Sequence, residues 1–258
     1  MGYKRSGYYY EKNKERQERD AEILALIRDK EKVPSFYGSI KIYEALKRYG
    51  YNVKYGQIRR ILEASGIKAA YPKKITTISR QDHKKYPYKL RGLKIERRNQ
   101  VWATDLTYIK LERGQVYLMA IIDIYSRKVL KWGIYNSLNA SGYSDLLRET
   151  IEEYGAPEMF NSDQGSQFTN GKWIRILEEY EIEISMDGKG RALDNVYVER
   201  LWKSLKYEDI YLNRYESVCE LLDGLEKYFN FYNRDRIHQS LNYATPDEIY
   251  GNMEIKAA

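Results

Sequence analysis

The sequence predicts a mixed α/β fold, a five-stranded sheet flanked by helices and preceded by a small all-α module. Three observations predict it. Residues 101–135 hold three strand-like runs separated by turn-forming sequence. Residues 139–207 then alternate helix, strand, helix, strand, helix, which is the pattern of a layered α/β domain. Residues 20–66 carry apolar positions at helical spacing between Pro and Gly breakers. A chain of 258 residues with 43% hydrophobic content can hold one domain of about 100–150 residues and a smaller module.

Residues 1–20 are polar and rich in tyrosine and charge, so the first helix is expected to start near Asp20, with Ile23, Leu26 and Ile27 on one face. Pro34 ends this first segment, residues 1–34. Gly38 and Ser39 open a second helix carrying Ile40, Tyr43, Ala45 and Leu46, and Gly50 closes it. A third helix carries Tyr55, Ile58, Ile61 and Leu62 up to Gly66. Residues 35–67 thus have the form of a helix-turn-helix, with Gln57, Arg59 and Arg60 on its second helix as candidate DNA contacts. A plain helical hairpin shares the pattern, so both readings stand at this stage.

From Lys68 to Arg98 the chain has 11 Lys and Arg against two acidic residues, with Pro72 and Pro87. Residues 68–100 therefore read as a basic linker that can track a phosphate backbone, or as a merely solvated one. The charge asymmetry is wider than this segment. Residues 1–100 hold 26 Lys and Arg against 11 Asp and Glu, a net of +15, whereas residues 101–258 hold 18 against 26, a net of −8. A basic, nucleic-acid-binding front end joined to an acidic domain fits that division.

Runs at 101–111, 115–124 and 128–135, divided by Arg113-Gly114 and Ser126-Arg127, read as an antiparallel meander. A helix near 139–154 closes at Gly155-Ala156-Pro157, and the short strand 159–162 follows. Next come a helix near 170–180, a strand at 182–186, and a helix from about Leu193 to Tyr207. The Gly188-Lys189-Gly190-Arg191 loop is expected to close over DNA, which makes Lys189 and Arg191 candidate contacts. A last helix near 216–232 belongs to a C-terminal helical extension, 213–258, and its Cys219 is expected to be a small buried residue.

One cysteine and two histidines exclude an internal disulfide and a Cys/His zinc site. The longest apolar stretch, Val116 to Ile122, is far short of the about 20 residues needed to cross a bilayer. No secretory signal is read, and no membrane partner; a reducing, cytoplasmic setting is expected.

Three carboxylates stand apart by their settings. Asp105 is mid-strand, Asp163 ends a strand before the Gln164-Gly165 turn, and Glu199 lies on a helix, sharing a face with Asn195, Lys203 and Lys206. Carboxylates brought together repel one another unless cations neutralise them. Hard divalent cations with oxygen ligands do so, and a pair of them can clamp a phosphate during in-line displacement. An amide and two lysines beside Glu199 fit a DNA backbone next to such a site. Each residue has a plainer reading: a strand aspartate bonding a neighbour, an aspartate starting a turn, and a Glu199–Lys203 surface pair. Asp123, also in an apolar strand, reads as a structural carboxylate.

Trp102-Ala103-Thr104-Asp105, Ser162-Asp163-Gln164-Gly165-Ser166-Gln167-Phe168, Asp194-Asn195-Val196-Tyr197-Val198-Glu199, Trp202-Lys203-Ser204-Leu205-Lys206 and the tail Tyr232-Asn233…Arg236-Ile237-His238…Thr245-Pro246 occur in that order. Together, over residues 35–250, they resemble the DDE transposases of the IS3 insertion-sequence family, in the OrfB segment and near the IS150 group. The resemblance implies an RNase H-like integrase catalytic core, here residues 101–212, and an N-terminal helix-turn-helix. It implies cleavage of double-stranded DNA at terminal inverted repeats and joining of 3′-hydroxyl ends. Asp105, Asp163 and Glu199 would be the catalytic metal ligands for two Mg²⁺ ions, with Mn²⁺ able to substitute. Phe168 stands where the family often has Tyr, and Val196 where Ala is usual; neither removes a ligand.

Such elements commonly fuse this segment to an upstream OrfA-type product with a further helix-turn-helix and a leucine zipper, and no sustained heptads occur here. Holding two ends together implies at least a homodimer on DNA, at the bacterial nucleoid. A non-catalytic DNA-binding regulator and a ribonuclease H-type nuclease are the rival readings.

Overall fold

The computed structural model describes residues 5–67, 86–112, 114–137, 140–188 and 195–251. Helices α1 (Arg5–Arg28), α2 (Ser39–Arg48) and α3 (Tyr55–Ser65) form one compact unit, and the chain from residue 86 onward forms a second. Helix α1 starts at Arg5, well ahead of the expected Asp20. Its first half has no apolar stripe to read, but Glu, Lys, Arg and Gln at 11–19 are good helix formers in their own right. Ile42, Ala45 and Leu46 make the buried stripe of α2, and Ile40, two residues ahead of Ile42 and so on the other side, is 45% exposed rather than internal. Ile58 and Ile61 are the buried residues of α3, and Gly66 ends it in the left-handed conformation at φ 66°.

In the second unit, β1 (Val101–Leu111), β2 (Gly114–Asp123) and β3 (Val129–Tyr135) form the expected antiparallel meander. Helix α4 (Ala140–Tyr154), β4 (Met159–Ser162), α5 (Ser166–Thr169), α6 (Gly171–Glu179), β5 (Glu183–Met186) and α7 (Val196–Leu205) follow. Both β4 and β5 run parallel to β1, giving the order β3-β2-β1-β4-β5. After α7 the helix widens into a π turn (Lys206–Ile210) and ends in α8 (Tyr211–Asn213), ahead of α9 (Val218–Arg234) and α10 (Pro246–Gly251).

Strand alternation splits the core into two layers. Val101, Ala103, Leu118, Ala120 and Ile122 pack with α7 and α9, while Trp102, Met119, Ile121 and Phe160 pack with α4 and α6. Residues 86–100, expected as spacer, are part of this unit. Leu90 is buried in the first layer, the Lys89 amide donates to Ser185 Oγ at 3.0 Å, and the Gln100 side chain ties Lys94 and Glu96. The remainder of the expected linker, 68–85, lies outside the described residues. The expected C-terminal extension likewise joins the core, through Leu221, Leu225, Tyr228, Phe229 and Tyr232 of α9. Cys219 is exposed, not buried, because it falls with Leu222 on the outer face of that helix. Among the described residues no helix is long and apolar enough to cross a membrane.

Candidate active site

Asp105 keeps the alternation of Val101 and Ala103 and so faces α7. Pairing of β1 with β4 sets Ala103 beside Asn161, and the same register carried two residues on sets Asp105 beside Asp163. The β4–β5 register, Ser162 beside Met186, likewise sets Asp163 beside Asp187. Three aspartates thus line up where β4 and β5 end, the edge at which α/β sheets collect ligands.

Both oxygens of Asp105 are held. The Leu106 amide donates to Oδ1 at 2.7 Å, and the Trp202 indole N–H donates to Oδ2 at 3.1 Å. Burial, reinforced by the charge of Asp163, nevertheless pushes the Asp105 carboxyl up to about 7, with Asp187 adding to the effect. Burial also raises Asp163, against the Gly165 amide that donates to its Oδ1 at 2.8 Å. Asp187 is fixed by Asn161, whose Nδ2 donates to Oδ1 at 2.8 Å, and Asn161 in turn accepts from Ser185 Oγ.

Helix α7 crosses this row. Asn195, at its N-terminus, donates from Nδ2 to the Thr104 carbonyl at 3.1 Å, and its own Oδ1 is buried with no partner among the described residues. Asn195, Glu199, Trp202 and Lys206 form a single stripe along the helix. Asn195 and Trp202 touch Thr104 and Asp105, and Lys206, its ammonium lowered by burial, feels the Asp105 charge. Glu199 lies between them on an exposed stretch, its carboxyl raised by partial burial alone. Among the described residues no three carboxylate, histidine or cysteine side chains converge tightly enough to hold an ion. The fold brings Asp105 and Asp163 together and puts Glu199 on the helix stripe that faces them.

Two models described as "Integrase core domain" match residues 95–192 and 180–246. Among curated relatives, the putative transposase InsK of insertion sequence element IS150 from Escherichia coli K12 is 29% identical over 216 residues, covering 82% of this chain and 76% of InsK. Transposase InsF of IS3A, also from E. coli K12, is 26% identical over 249 residues, covering 91% of this chain and 82% of InsF. The chain has an integrase core and is similar to transposases of the IS3 family. A transposase of IS904 from Lactococcus lactis is 28% identical over 83% of this chain and 87% of its own length. The simian T-cell lymphotropic virus intasome, solved with PP2A regulatory subunit B56 gamma, has a chain that matches with a TM-score of 0.54 at 16% identity. That match covers 85% of this chain and 77% of the other, and shows the likeness of fold: the five-stranded sheet is the RNase H-like core expected from the sequence.

Elsewhere in this transposase the expected DNA contacts have varied settings. Asn195 is buried against β1, only 6% exposed, rather than presented on the surface. Lys203 is exposed, its Nζ 5.7 Å from the Tyr207 ring centre. In the N-terminal unit Asp20 of α1 takes both Arg60, with Nη2 to Oδ1 at 2.7 Å, and the Gln57 amide at 3.5 Å. Arg59 is exposed and faces Glu63 at 3.4 Å. Lys189 and Arg191 lie outside the described residues. Asp123 is structural, as expected: its carboxylate accepts from the Asn99 amide and from the amide and hydroxyl of Ser126, closing the β2–β3 turn. Sequence reading missed Asp187 and the grip of Trp202 on Asp105. Trp202 had one signal, its place one helical turn after Glu199.

Proposed function

We propose that this transposase binds the terminal inverted repeats of its insertion sequence and catalyses metal-dependent strand cleavage and 3′-hydroxyl strand transfer, using Asp105, Asp163 and Glu199. One observation carries the reading: two recessed carboxylates, Asp105 in the central strand β1 and Asp163 just past the end of β4, are close enough for Asp105 to feel the Asp163 charge, and among the described residues neither has an ion pair. The Asp163 charge raises the Asp105 carboxyl, and a divalent cation beside it relieves that repulsion. The donors fit magnesium, being hard oxygens, and the buried Oδ1 of Asn195, which has no partner among the described residues, adds a further one next to Thr104.

Asp105 and Asp163 would hold the ions, with Glu199 completing the set as its side chain swings in from α7. Two Mg²⁺ ions, or Mn²⁺ in their place, would supply Lewis-acid stabilisation of the phosphate charge and a lower pKa for the attacking oxygen. The protein's own part is positioning. Leu106 and Trp202 fix the Asp105 carboxylate, and the Gly165 amide fixes Asp163. Lys203 and Lys206 face backbone phosphates next to the reacting one, with Lys189 and Arg191 as further contacts. Arg59 is the outward cation of the helix-turn-helix, and Gln57 and Arg60 join it when Asp20 releases them. Water as nucleophile nicks the strand, and a 3′-hydroxyl joins strands at the same site. An upstream OrfA-type product would add end recognition.

The test is a nicking and joining assay on DNA bearing the element's terminal repeats, with Mg²⁺ or Mn²⁺. Wild type is expected to cut at the repeat tips, and Asp163→Asn to lose at least about a hundredfold in rate. Cutting that survives Asp163→Asn removes the carboxylate reading. Specific binding without any cutting favours a DNA-binding regulator.

A further inference from the structure

Past Asp105, β1 continues through Tyr108 and Lys110, and the π turn and α8 stand opposite. Between them is a groove of about 740 Å³, within the roughly 300–1,000 Å³ of ligand clefts. Tyr108, Tyr211 and Tyr215 line it together with Lys110, Lys206 and Arg214. Two of the rings are open to solvent, Tyr108 at 48% and Tyr211 at 53% exposure. The Lys206 ammonium sits 5.1 Å from the centre of the Tyr108 ring and also feels the Asp105 charge, so one lining cation of the groove links it to Asp105, three residues before Tyr108 on β1. Tyr211 belongs to the same cluster, its phenol raised by burial and then by the phenols of Tyr207 and Tyr108.

We infer that this groove is a binding site for unpaired DNA, taking the nucleotides that leave the phosphate held at Asp105, with bases against Tyr108 and Tyr211 and backbone against Lys206 and Arg214. The inference rests on the reading of Asp105 as the place of the reacting phosphate. Ring chemistry selects the ligand. Bases in a duplex have their faces covered by neighbours, so exposed tyrosine faces reward only bases that are unstacked. Charge supports the same choice. Glu112 and Glu216 also line the groove and leave it with three cations against two carboxylates, too small an excess to hold a duplex by phosphate attraction. A short unpaired stretch next to the cut also follows from the chemistry, because a strand must leave the duplex for its phosphate to enter a recessed site.

The test uses the full chain without metal, so that no cleavage occurs, and measures fluorescence anisotropy of a labelled oligothymidine of about ten nucleotides and a hairpin duplex. Tyr211→Ala is expected to weaken oligothymidine binding by about fivefold or more, Tyr211→Phe to keep it, and hairpin binding to stay as in wild type. Arg214→Gln is expected to lower the slope of log affinity against log salt by about one unit or slightly less. Should Tyr211→Ala melt early, Tyr108→Leu on the opposite wall repeats the measurement. Unchanged oligothymidine binding, an equal loss for the hairpin, or no oligothymidine binding at all overturns the inference. Asp163→Asn is expected to bind oligothymidine like wild type, so the groove and the catalytic reading fail separately.

Discussion

The Asp105 carboxylate has its orientation set from two elements, by the amide of Leu106 in its own strand and by the indole of Trp202 from α7. Trp202→Phe keeps a buried ring but removes one of the donors that lower the Asp105 carboxyl. Mn²⁺ titrations over a pH series are then expected to show the half-maximal pH of metal binding moving upward; a variant with an unmoved profile means the indole acts only through packing. The wild-type profile has a definite sign. The Asp105 carboxyl rises from 3.8 to about 7 on folding, so the metal-free protein gains from its protonated form. That gain is full below the unfolded value and is lost as pH climbs through about 7. Metal needs the ionised form, so Mg²⁺ is expected to raise the melting temperature more at about pH 8 than at about pH 6. Asp105→Asn should remove this difference, and an equal Mg²⁺ effect at both pH values in wild type would count against metal at Asp105.

The π turn after α7 is the element whose form depends most on distant chain. The Glu208 side chain, 10% exposed, is paired with Arg236 of the tail at 2.6 Å, and Arg236 also reaches Ser204 and His238. Asp209, itself buried, accepts from Tyr215 and Asn213. Arg236→Met alone leaves the recessed Glu208 carboxylate without its cation and, among the described residues, with only the Tyr228 hydroxyl to meet it, an expected loss of about 3 kcal/mol in urea unfolding. The double variant with Glu208→Leu should recover most of it, and equal losses in single and double would show that the pair itself is not the stabilising unit. Nothing within Lys206–Ile210 announces such a turn, because Glu208 is matched by Arg236, 28 positions onward. The strands at 101–135 were legible for the opposite reason: apolar runs with turn residues between them fix local pairing whatever the rest of the chain does. Helix α1 escaped because its first half follows propensity rather than periodicity, and residues 86–100 escaped because their charge hides one buried leucine and a handful of backbone bonds. At the site, Asp105 and Asp163 were legible as residues, while the Asp187 in their row emerges only from the β4–β5 register.

Across the whole molecule the charge is divided, +15 in residues 1–100 and −8 in residues 101–258. A domain with that negative excess repels DNA unless cations sit in its acidic row and another part of the assembly supplies the attraction. End binding should therefore weaken steeply with salt, and replacing basic residues of the first hundred should flatten that slope. Stoichiometry follows from the same division of labour. Each chain has one Asp105–Asp163 pair, and a transposition event must act on both ends of the element. A complex holding two end fragments is therefore expected to contain at least two protomers, each aspartate row engaged on one end. Sedimentation of the paired-end complex measures this directly, and a single protomer bound to both fragments would show that one site serves both ends in turn. Mixing wild type with Asp163→Asn adds the functional half of the argument. If each protomer cuts its own end, mixed complexes should nick one end and leave the other intact, whereas a single working site would yield complexes cut at both ends or at neither.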